Sequence, residues 1–572
     1  MSKQENLEKI RHSTSHVLAA VVLDMFPEAK PGIGPNIKNG FYYDFELPRT
    51  LIPEDLEILE GKMQDFIKKA YSFEQYDEPK DKAIEFLKKA KQTYKIELVQ
   101  DILGDKVSFY KTGPFVDLCQ GPHVKNTSEI KAFKLLSIAG AYWKGNEANT
   151  QLQRIYGTAF NNKKELEDFL KNQEKIKGID HKKIGQKLGI FIQSSEVGVG
   201  LPIWMPKGET LRTQIENIVM CECLKDGYMF IRTPHIAKSD LYKTSGHLRH
   251  YKKDMFPEMD LDGEKYVLRP MNCPHHAQVY MAEQHSYKDL PYRLAEFGMV
   301  YRREKSGEVS GLARPRGFTI DDGHIFCAPG QVEHQFIQTI KLQQRVLKKL
   351  GFDKFKIILS LRGKDNKKNY IGTDEMWKKA EDLLRGVLKK ANMSFEEKLG
   401  EAAFYGPKAD FFIEDAYSRE WQLSTIQVDF NIPERFDLNY IDKDGKKQRV
   451  VMIHRAIIGS FERFMAIFLE HTKGALPFDL APVQVQIITI SDKFNSYAEK
   501  IKDKLRSENI RVVSDNSANT MGKKIREAEL LKIPYMLIIG EREQKAQNIA
   551  VREFGKGDLG SKTVDEFLKS LG

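Results

Sequence analysis

The most informative part of this sequence is the segment Tyr301–Cys327, YRREKSGEVSGLARPRGFTIDDGHIFC. It contains two strand-like limbs around a loop, and the arginines beside the loop are Arg302, Arg303, Arg314 and Arg316. Guanidinium groups held on opposite limbs of a hairpin can each grip phosphate or carboxylate oxygens with two hydrogen bonds. The segment therefore predicts a phosphate clamp, although a surface hairpin with salt bridges would use the same residues.

The composition indicates a globular protein of several domains. The chain has 572 residues, of which 41% are hydrophobic and 30% charged, and its apolar runs are too short to cross a membrane. Its net charge of +10, from 90 basic and 80 acidic residues, permits a polyanionic partner without proving one. Five scattered cysteines argue against a disulfide framework and for a reducing compartment, so we expect a cytoplasmic protein.

Two pairs of potential ligands occur early in the chain. Apolar residues from Leu7 to Met25 follow helical spacing, and His12 and His16 share one face of this predicted amphipathic helix. Cys119 and His123 are also four residues apart. The four side chains could bind zinc or act as acid, base and water holder, but their spacing equally fits two unrelated pairs.

The order Arg302-x-Glu304, loop, Arg314-x-Arg316-Gly-Phe-Thr-x-Asp-Asp-x-His324 resembles motif 2 of class II aminoacyl-tRNA synthetases, in the form carried by threonyl-tRNA synthetases. Other segments match that family in order. They are Leu211–Ile236 as motif 1, RPMNCPHH (269–276), FYGPKADFFIED (404–415), WQLSTIQVDF (421–430) and HRAIIGSFERF (454–464), which contains motif 3. Motif 1 builds the dimer interface in these enzymes, so the resemblance also implies a homodimer.

The resemblance implies that the core binds ATP and threonine. The ATP-binding residues would be Arg302, Glu304, Arg314, Phe318, Gln422 and Arg463, with magnesium bridging the phosphates. Arg302 and Arg463 would be catalytic as well. Asp322 would receive the threonine hydroxyl, and Tyr405 would face the amino end of the substrate. Departures from the family pattern occur at Ile320, Leu423, Ser424 and His275.

The same resemblance places one zinc ion on Cys273, His324 and His454. Three protein ligands leave zinc an open position, which marks a functional site. A site that engages the substrate hydroxyl can reject valine by about 10⁴–10⁵-fold. The spacing of the three residues by itself leaves open a buried cysteine with two hydrogen-bonded histidines.

Serine poses a different problem, because it is only one methyl group smaller than threonine. That difference is worth about 10–200-fold in selectivity, which is too little for translation. The first domain resembles the editing domain shared by threonyl- and alanyl-tRNA synthetases, which hydrolyses mischarged tRNA. Its catalytic residues here would be His12, His16, Lys95, Asp117, Cys119 and His123, acting through a positioned water, with a bound zinc as the alternative.

After residue 481, strands and helices alternate as in a small α/β domain. The segment resembles the anticodon-binding domain of the threonyl, prolyl, histidyl and glycyl enzymes. Arg526, Glu543 and Arg552 match its anticodon-reading positions, although the latter two could be ordinary charges on an edge strand. Residues 515–520 depart from the pattern, so we assign no anticodon contact there.

The expected fold class is a multidomain α+β protein: a class II core built on an antiparallel sheet, with an N-terminal α/β editing domain and a C-terminal α/β anticodon-binding domain. The expected domains are residues 1–160, a linker helix at 161–180, the core at 181–476 and residues 477–572. The family usually has a further small N-terminal domain, which we expect to be lacking. The implied function is that of a threonine–tRNA ligase with serine editing. The alternatives are a non-catalytic RNA-binding paralogue and a stand-alone zinc hydrolase.

Overall fold

The structure is a computed structural model that describes residues 3–37, 39–145, 149–363, 370–417 and 419–571. The chain divides into two compact units, residues 1–177 and 178–572. The division falls at the end of the helix Lys163–Lys177, inside the segment predicted to be the linker. Among the described residues, none of the helices combines the length and apolarity that a bilayer crossing requires.

In the part of the first unit that the structure describes there are two antiparallel sheets and five α-helices. The helices are α1 (Lys3–Met25), α2 (Pro53–Lys68), α3 (Lys80–Lys89), α4 (Thr93–Asp101) and α5 (Lys163–Lys177). The strands are β1 (Lys30–Pro31), β2 (Asn36–Ile37), β3 (Gly40–Glu46), β4 (Phe73–Pro79), β5 (Lys106–Thr112), β6 (Phe115–Leu118), β7 (Ala132–Tyr142) and β8 (Gln151–Phe160). One sheet has the order β1-β3-β8-β7 with β2 on β3, and the other is β4-β5-β6.

Helix α1 differs from the prediction in its burial. An amphipathic helix would expose one face, but nearly every residue from 10 to 22 is buried, including Arg11 and Ser15. The polar residues in this stretch are tolerated because they bond locally or across the unit, as Thr14 does to the Ile10 carbonyl and Arg11 to the Ala159 carbonyl. The histidines of this helix therefore lie inside the unit.

The second unit begins with the segment predicted to be the core. Its helices are α6 (His181–Leu188), α7 (Pro206–Lys225), α8 (Ser239–Ser245), α9 (His247–His250), α10 (Cys273–Met281), α11 (Val332–Lys349), α12 (Asp374–Lys390), α13 (Asn431–Arg435) and α14 (Phe461–His471). Its strands are β9 (Phe191–Ile192), β10 (Ile203–Trp204), β11 (Met229–Phe230), β12 (Ile236–Lys238), β13 (Met259–Leu261), β14 (Glu264–Leu268), β15 (Tyr292–Tyr301), β16 (Gly317–Cys327), β17 (Phe355–Leu361), β18 (Phe395–Leu399), β19 (Lys408–Glu414), β20 (Glu420–Asp429), β21 (Asn439–Ile441), β22 (Lys447–Arg449) and β23 (Val451–Ser460).

Eight strands form the main sheet in the order β11-β15-β16-β23-β20-β19-β17-β18. All neighbours are antiparallel except the outermost pairs at each end. Strands β15 and β16 are the two limbs of the predicted hairpin, and Tyr301 pairs with Gly317 beside its loop. Strand β16 also pairs with β23, so that His324 lies opposite His454. Helices α7, α11 and α14 contribute to the large apolar core against the sheet.

The predicted motif 1 strand is shorter than expected. The end of the motif 1 segment, GYMFIRTPHI (227–236), predicts one strand, but only Met229–Phe230 join the main sheet, and Ile236 starts a strand of another sheet. The peptide between them bonds to a side chain instead, since the Thr233 N–H donates to the Glu296 carboxylate at 2.9 Å. Pro234, which has no N–H, cannot continue the strand pairing there.

The C-terminal segment is a small α/β domain, as predicted. Its helices are α15 (Asn495–Ser507), α16 (Met521–Leu530), α17 (Glu541–Ala546) and α18 (Val564–Leu571), and its strands are β24 (Val485–Thr489), β25 (Val512–Asp515), β26 (Tyr535–Ile539), β27 (Ile549–Glu553) and β28 (Gly557–Lys562). The sheet order is β25-β24-β26-β27-β28. Helix α17 and strand β28 were not predicted. Glu543 therefore lies on a helix, and Arg552 lies on an interior strand, so the edge-strand alternative is wrong for both residues.

Candidate active sites

A cavity of about 740 Å³ opens on the main sheet of the second unit. It is lined by ten of the residues that the sequence assigned to ATP, threonine or zinc: Arg302, Glu304, Arg314, Phe318, Asp322, His324, Tyr405, Gln422, His454 and Arg463. They come from β16, β20, β23, α14 and the loops beside them, so the sheet brings together residues up to 161 positions apart. A volume of this size is typical of a small-molecule site.

Arg302 is prepared to receive an anion. Its guanidinium lies over the ring of Phe318 at 5.0 Å and over Tyr251 at 5.5 Å, which fixes its plane. Its Nε is buried and has no hydrogen-bond partner among the described atoms. A buried donor without a partner is costly unless a ligand satisfies it, so Arg302 favours a phosphate or carboxylate oxygen at this point.

Two further arginines surround the same part of the cavity. Arg314 donates from Nε to Glu304 at 2.8 Å, and Arg463 donates from Nε to the Ala313 carbonyl at 3.2 Å. Desolvation in the cleft, together with the charges of Arg302 and Arg314, lowers the pKa of Arg463. Three guanidinium groups that repel one another are stabilised by a polyanion such as triphosphate.

Gly459 closes the turn from β23 into α14 at the edge of this cavity. Its φ is +71°, and a Cβ there would lie 2.6 Å from the Leu423 carbonyl oxygen, which belongs to strand β20. A side chain would therefore meet both an unfavourable backbone conformation and a clash with backbone.

We expect Gly459→Ala to destabilise the second unit by about 1–3 kcal/mol, because the strain and the clash add. Differential scanning calorimetry of the full chain should show a lower unfolding temperature for the transition of that unit. Gly386→Ala is the matched control, since Gly386 lies within α12 with open space around its Cα and ordinary helical geometry. It should be neutral or stabilising; equal destabilisation by both substitutions would contradict this explanation.

Cys273, His324 and His454 form a buried cluster beside the cavity. Their ligand atoms lie within 4.8 Å of one another, and His324 Nε2 is 3.0 Å from His454 Nδ1. Cys273 begins α10, and the two histidines are opposite each other on β16 and β23. The pairing of β16 with β23 thus brings together residues whose spacing in the sequence did not predict a cluster.

The partners behind His324 determine which of its nitrogens carries the proton. Glu296 accepts from His276 Nε2 at 3.2 Å, and although burial opposes it, the hydrogen bonds from His276 and Thr233 lower the pKa of Glu296 to about 2. Because His276 donates from Nε2, its Nδ1 accepts the proton of His324 Nδ1 at 2.8 Å. The lone pair of His324 is then on Nε2, inside the cluster.

His454 has the mirror arrangement. Its Nε2 donates to Asp429 at 3.0 Å, so its lone pair is on Nδ1, facing that of His324. Two lone pairs 3.0 Å apart with a thiol beside them repel one another and favour a cation between them. Imidazoles oriented by carboxylate partners and joined by a cysteine are a donor set that suits zinc.

The two residues that the sequence assigned to threonine, Asp322 and Tyr405, lie next to this cluster. Asp322 accepts from Asn272 Nδ2 at 3.0 Å, and burial raises its pKa. The ring of Tyr405 stacks on His454 with centroids 4.8 Å apart, and its hydroxyl donates to Gln427. These contacts hold Tyr405 and Asp322 at the same wall as His454.

Sequence reasoning missed several residues of this site. His247 lies 3.6 Å from the Cys273 sulfur and lines the cavity, and Gln427, His276, Glu296 and Asp429 support the residues described above. His276 lies in the motif segment 269–276, and Gln427 and Asp429 lie in the segment 421–430, but spacing marks a role for none of the five, because each acts through a partner distant in sequence. Of the departures, Ile320 and Leu423 line the cavity, Ser424 donates to the Ile457 carbonyl, and His275 lies 3.5 Å from the Tyr242 hydroxyl.

The first unit contains a second cluster, formed by all six residues predicted for editing. Cys119 Sγ is 3.3 Å from His12 Nε2 and 3.4 Å from His123 Nε2. His16 lies 3.6 Å from Asp117, which also contacts Lys95 at 2.5 Å. The hydroxyl of Tyr43, a residue that sequence reasoning missed, donates to Asp117 at 2.6 Å.

This cluster is neutral around its histidines. Burial lowers the pKa values of His12, His16 and His123, and it raises the pKa of Cys119 to about 11. Neutral imidazoles beside a neutral thiol can accept protons from a bound water but do not produce a thiolate nucleophile. The chemistry they suit is hydrolysis by a positioned water.

The three predicted anticodon residues have different environments. Arg526 is exposed on α16. Glu543 accepts from the Gly540 N–H at 2.9 Å and so caps its own helix. Arg552 is half-buried on β27, and its Nε has no hydrogen-bond partner among the described atoms.

Comparison with known families agrees with this arrangement. Residues 251–472 match the tRNA synthetase class II core domain (G, H, P, S and T), residues 484–572 match the anticodon binding domain, and residues 107–156 match the threonyl and alanyl tRNA synthetase second additional domain. The threonine–tRNA ligase of Sulfurihydrogenibium sp. is 47% identical, over 99% of this chain and 88% of that protein. The threonine–tRNA ligase of Dehalococcoides mccartyi is 48% identical, over 96% of this chain and 93% of that protein.

Solved structures give the same result. The RNA binding domain of threonyl-tRNA synthetase from Cryptosporidium parvum has a TM-score of 0.65 and 39% identity, over 68% of this chain and 97% of that one. A threonyl-tRNA synthetase structure, ThrRS-1 from Aeropyrum pernix, has a TM-score of 0.61 and 31% identity, over 68% of this chain and 94% of that one. With its second additional domain, class II core and anticodon binding domain in this order along the sequence, the chain belongs to the threonine–tRNA ligase family.

Proposed function

We propose that this protein is an ATP-dependent threonine–tRNA ligase with hydrolytic editing of seryl-tRNA. The threonine carboxylate attacks the α-phosphorus of ATP, which forms threonyl-adenylate and releases pyrophosphate. A terminal ribose hydroxyl of tRNA then attacks the acyl carbon, which forms the ester and releases AMP. The observation that carries the proposal is the cavity in which the arginine clamp and the Cys–His–His cluster adjoin, in a chain of this family.

The clamp residues act by positioning and charge. Arg302 meets the α-phosphate and the substrate carboxylate with its Nε, which has no hydrogen-bond partner among the described atoms, while Arg314 and Arg463 hold the β- and γ-phosphates. Magnesium that enters with ATP would supply further positive charge to the phosphates. Glu304 reads the adenine amino group and Phe318 stacks on the adenine. Gln422, at the cavity wall, lies near the nucleotide. For Glu304 to read the base, it must exchange its present bond to Arg314.

Cys273, His324 and His454 would hold zinc, since their oriented lone pairs fit a tetrahedral metal with an open position. Such a metal would supply a Lewis acid to the amino and hydroxyl groups of the substrate. Asp322 receives the hydroxyl of threonine, and Tyr405 faces its amino end. Valine, which lacks that hydroxyl, leaves buried polar groups unpaired and is rejected.

Editing belongs to the cluster of the first unit. His12, His16, Cys119 and His123 would hold a water against the seryl ester, and Lys95 with Asp117 would fix the polar wall of the pocket. Attack of that water on the ester carbon forms serine and restores the free tRNA hydroxyl. The neutral histidines take up the proton of the water as the bond forms.

We expect His12→Ala to reduce the hydrolysis of seryl-tRNA by about 100-fold, because a positioned acid–base group is lost. Deacylation of preformed seryl-tRNA measures this, and threonine activation in the same variant should stay normal. Asp24→Ala, at an exposed position of the same helix, is the control. Normal deacylation by His12→Ala, or equal loss in both variants, would remove His12 from the editing site.

The proposed partner is tRNA(Thr), read at the anticodon by Arg526, Glu543 and Arg552. Arg526 is exposed and can donate to base edges in a single-stranded loop, and Arg552 is half-buried with an Nε that has no hydrogen-bond partner among the described atoms, which supports a ligand at its guanidinium. We also propose a homodimer formed through α7 and the segment after it, and a cytoplasmic location. No observation favours a non-catalytic paralogue, since every predicted ATP-site residue lies in the cavity.

Charging of tRNA tests the proposal as a whole. The protein should attach threonine to tRNA(Thr) with consumption of ATP, and seryl-tRNA(Thr) should not accumulate. If folded, metal-containing protein attached none of the amino acids to tRNA, the proposed function would be overturned.

A further inference from the structure

His181 is a buried histidine that neither proposed reaction uses. It begins α6, only a few residues into the second unit, and is 5% exposed. Its Nδ1 lies 2.7 Å from Glu470 Oε1 and 3.6 Å from Asp180 Oδ1. Since a carboxylate only accepts hydrogen bonds, Nδ1 carries the proton and Nε2 carries a lone pair.

That lone pair faces the loop of the hairpin Tyr301–Cys327. The backbone N–H of Leu312 donates to His181 Nε2 at 3.2 Å, and the Leu312 side chain is fully buried. Gly311 approaches so closely that a Cβ on it would lie 2.4 Å from His181 Nε2. The Leu312 N–H is therefore satisfied by a side chain at a point where water has little access.

The turn formed by residues 310–314 includes one clamp arginine, Arg314, and contacts another, Arg463. Ser310 O accepts from the backbone N–H groups of Ala313, at 2.9 Å, and Arg314, at 3.2 Å, so residues 310–314 form one tight unit. Ala313 offers its carbonyl to Arg463, and Arg314 is itself a clamp arginine. A shift at Leu312 would therefore be transmitted to both Arg314 and Arg463.

Helix α14 holds this turn at two points. Arg463 contacts Ala313 directly, and Glu470, seven residues or about two turns later on the same face, holds His181. Glu470 is fixed in turn, because it accepts from Arg419 Nη2 at 2.6 Å and from the His181 N–H at 3.0 Å. Because Arg463 and Glu470 lie on one helix, their two contacts fix the position and the orientation of the turn relative to α14.

We propose that His181 is a positioning residue that fixes the ATP-clamp turn, residues 310–314, through an acceptor bond to the Leu312 N–H. It does not touch ATP. Its removal therefore weakens the binding of ATP and leaves the binding of threonine, which lies at the other end of the cavity, unaffected. This inference rests on the proposed ligase function.

The test compares two substitutions that each keep half of the imidazole chemistry. His181→Asn retains a donor near Glu470 but has no acceptor that reaches Leu312, whereas His181→Gln retains an acceptor at the distance of Nε2. Threonine-dependent exchange of pyrophosphate with ATP, at varied ATP and varied threonine, measures the KM for ATP and the KM for threonine. His334→Asn, at an exposed histidine of α11, is the control for the substitution itself.

We expect His181→Asn to raise the KM for ATP by about tenfold with an unchanged KM for threonine, and His181→Gln to stay within about twofold of wild type. An unchanged KM for ATP in His181→Asn, a parallel rise for both substrates, or equal damage in the two variants would overturn the proposal. Absence of exchange in the wild-type protein would instead overturn the ligase function.

Hydrogen exchange provides a measurement that does not depend on the variants folding. In the wild-type protein without ATP, the Leu312 amide should exchange about 100-fold more slowly than an unprotected amide. An unprotected Leu312 amide in the wild-type protein would show that the bond to His181 is not maintained, and the proposal would fail.

Discussion

Cys273→Ala is expected to abolish zinc binding and to reduce threonine-dependent pyrophosphate exchange by about 10³-fold or more. The cluster loses its only sulfur ligand, while His324 and His454 keep their oriented lone pairs but hold a metal poorly with two ligands. The loss is large because the metal would contribute several kcal/mol to the orientation of the amino acid. Metal analysis of the purified variant, together with the exchange assay, measures both effects.

Cys327→Ala is the matched control, because Cys327 is equally buried, lies on β16, the strand that carries His324, and is not part of the cluster. It removes a similar sulfur from the core and should keep one zinc per chain and near-normal exchange. If Cys273→Ala retained zinc and activity, the Cys–His–His cluster would not be the metal site.

Arg302→Ala is expected to lower the rate of adenylate formation by about 10³-fold. Arg302 is the clamp residue whose Nε is buried without a partner, so its bonds would form only when the anionic substrates bind. Because charge builds up at the α-phosphate during the attack, most of the loss should appear in kcat and not in the KM for ATP. Single-turnover measurement of adenylate formation separates the two.

Arg303, the next residue, has an exposed side chain and is the control for loss of a positive charge. Arg303→Ala should change the rate less than about threefold. A small effect of Arg302→Ala, or a loss confined to the KM for ATP, would contradict the role proposed for Arg302.

The sequence predicted the hairpin, the clamp arginines and the order of the domains, because these depend on local motifs. Residues such as Arg302, Glu304 and Arg314 lie in one continuous segment with its own turn, so their proximity follows from the chain itself. Likewise, the strands and helices of the last domain follow from hydrophobic alternation. There the sequence failed at β28, whose segment GDLGSK has little of the apolar alternation typical of a strand.

The clusters could not be predicted from spacing. His324 and His454 meet because β16 and β23 pair in one register, and a change of one residue would turn one of them to the opposite face. The supporting residues are harder still to predict: Glu296, His276 and Asp429 act on the proposed metal ligands through hydrogen bonds between distant segments. His181 and Leu312, 131 residues apart, are a further example. Contacts of this kind can be identified only from the resemblance to a family or from the structure.

The most direct test of the central claim is pyrophosphate exchange with ATP in the presence of threonine, serine or valine, on zinc-replete and on chelated protein. We predict strong exchange with threonine, weaker exchange with serine, none with valine, and loss of all exchange on chelation. Exchange with valine comparable to that with threonine, or no exchange with any amino acid by folded protein that contains zinc, would contradict the account.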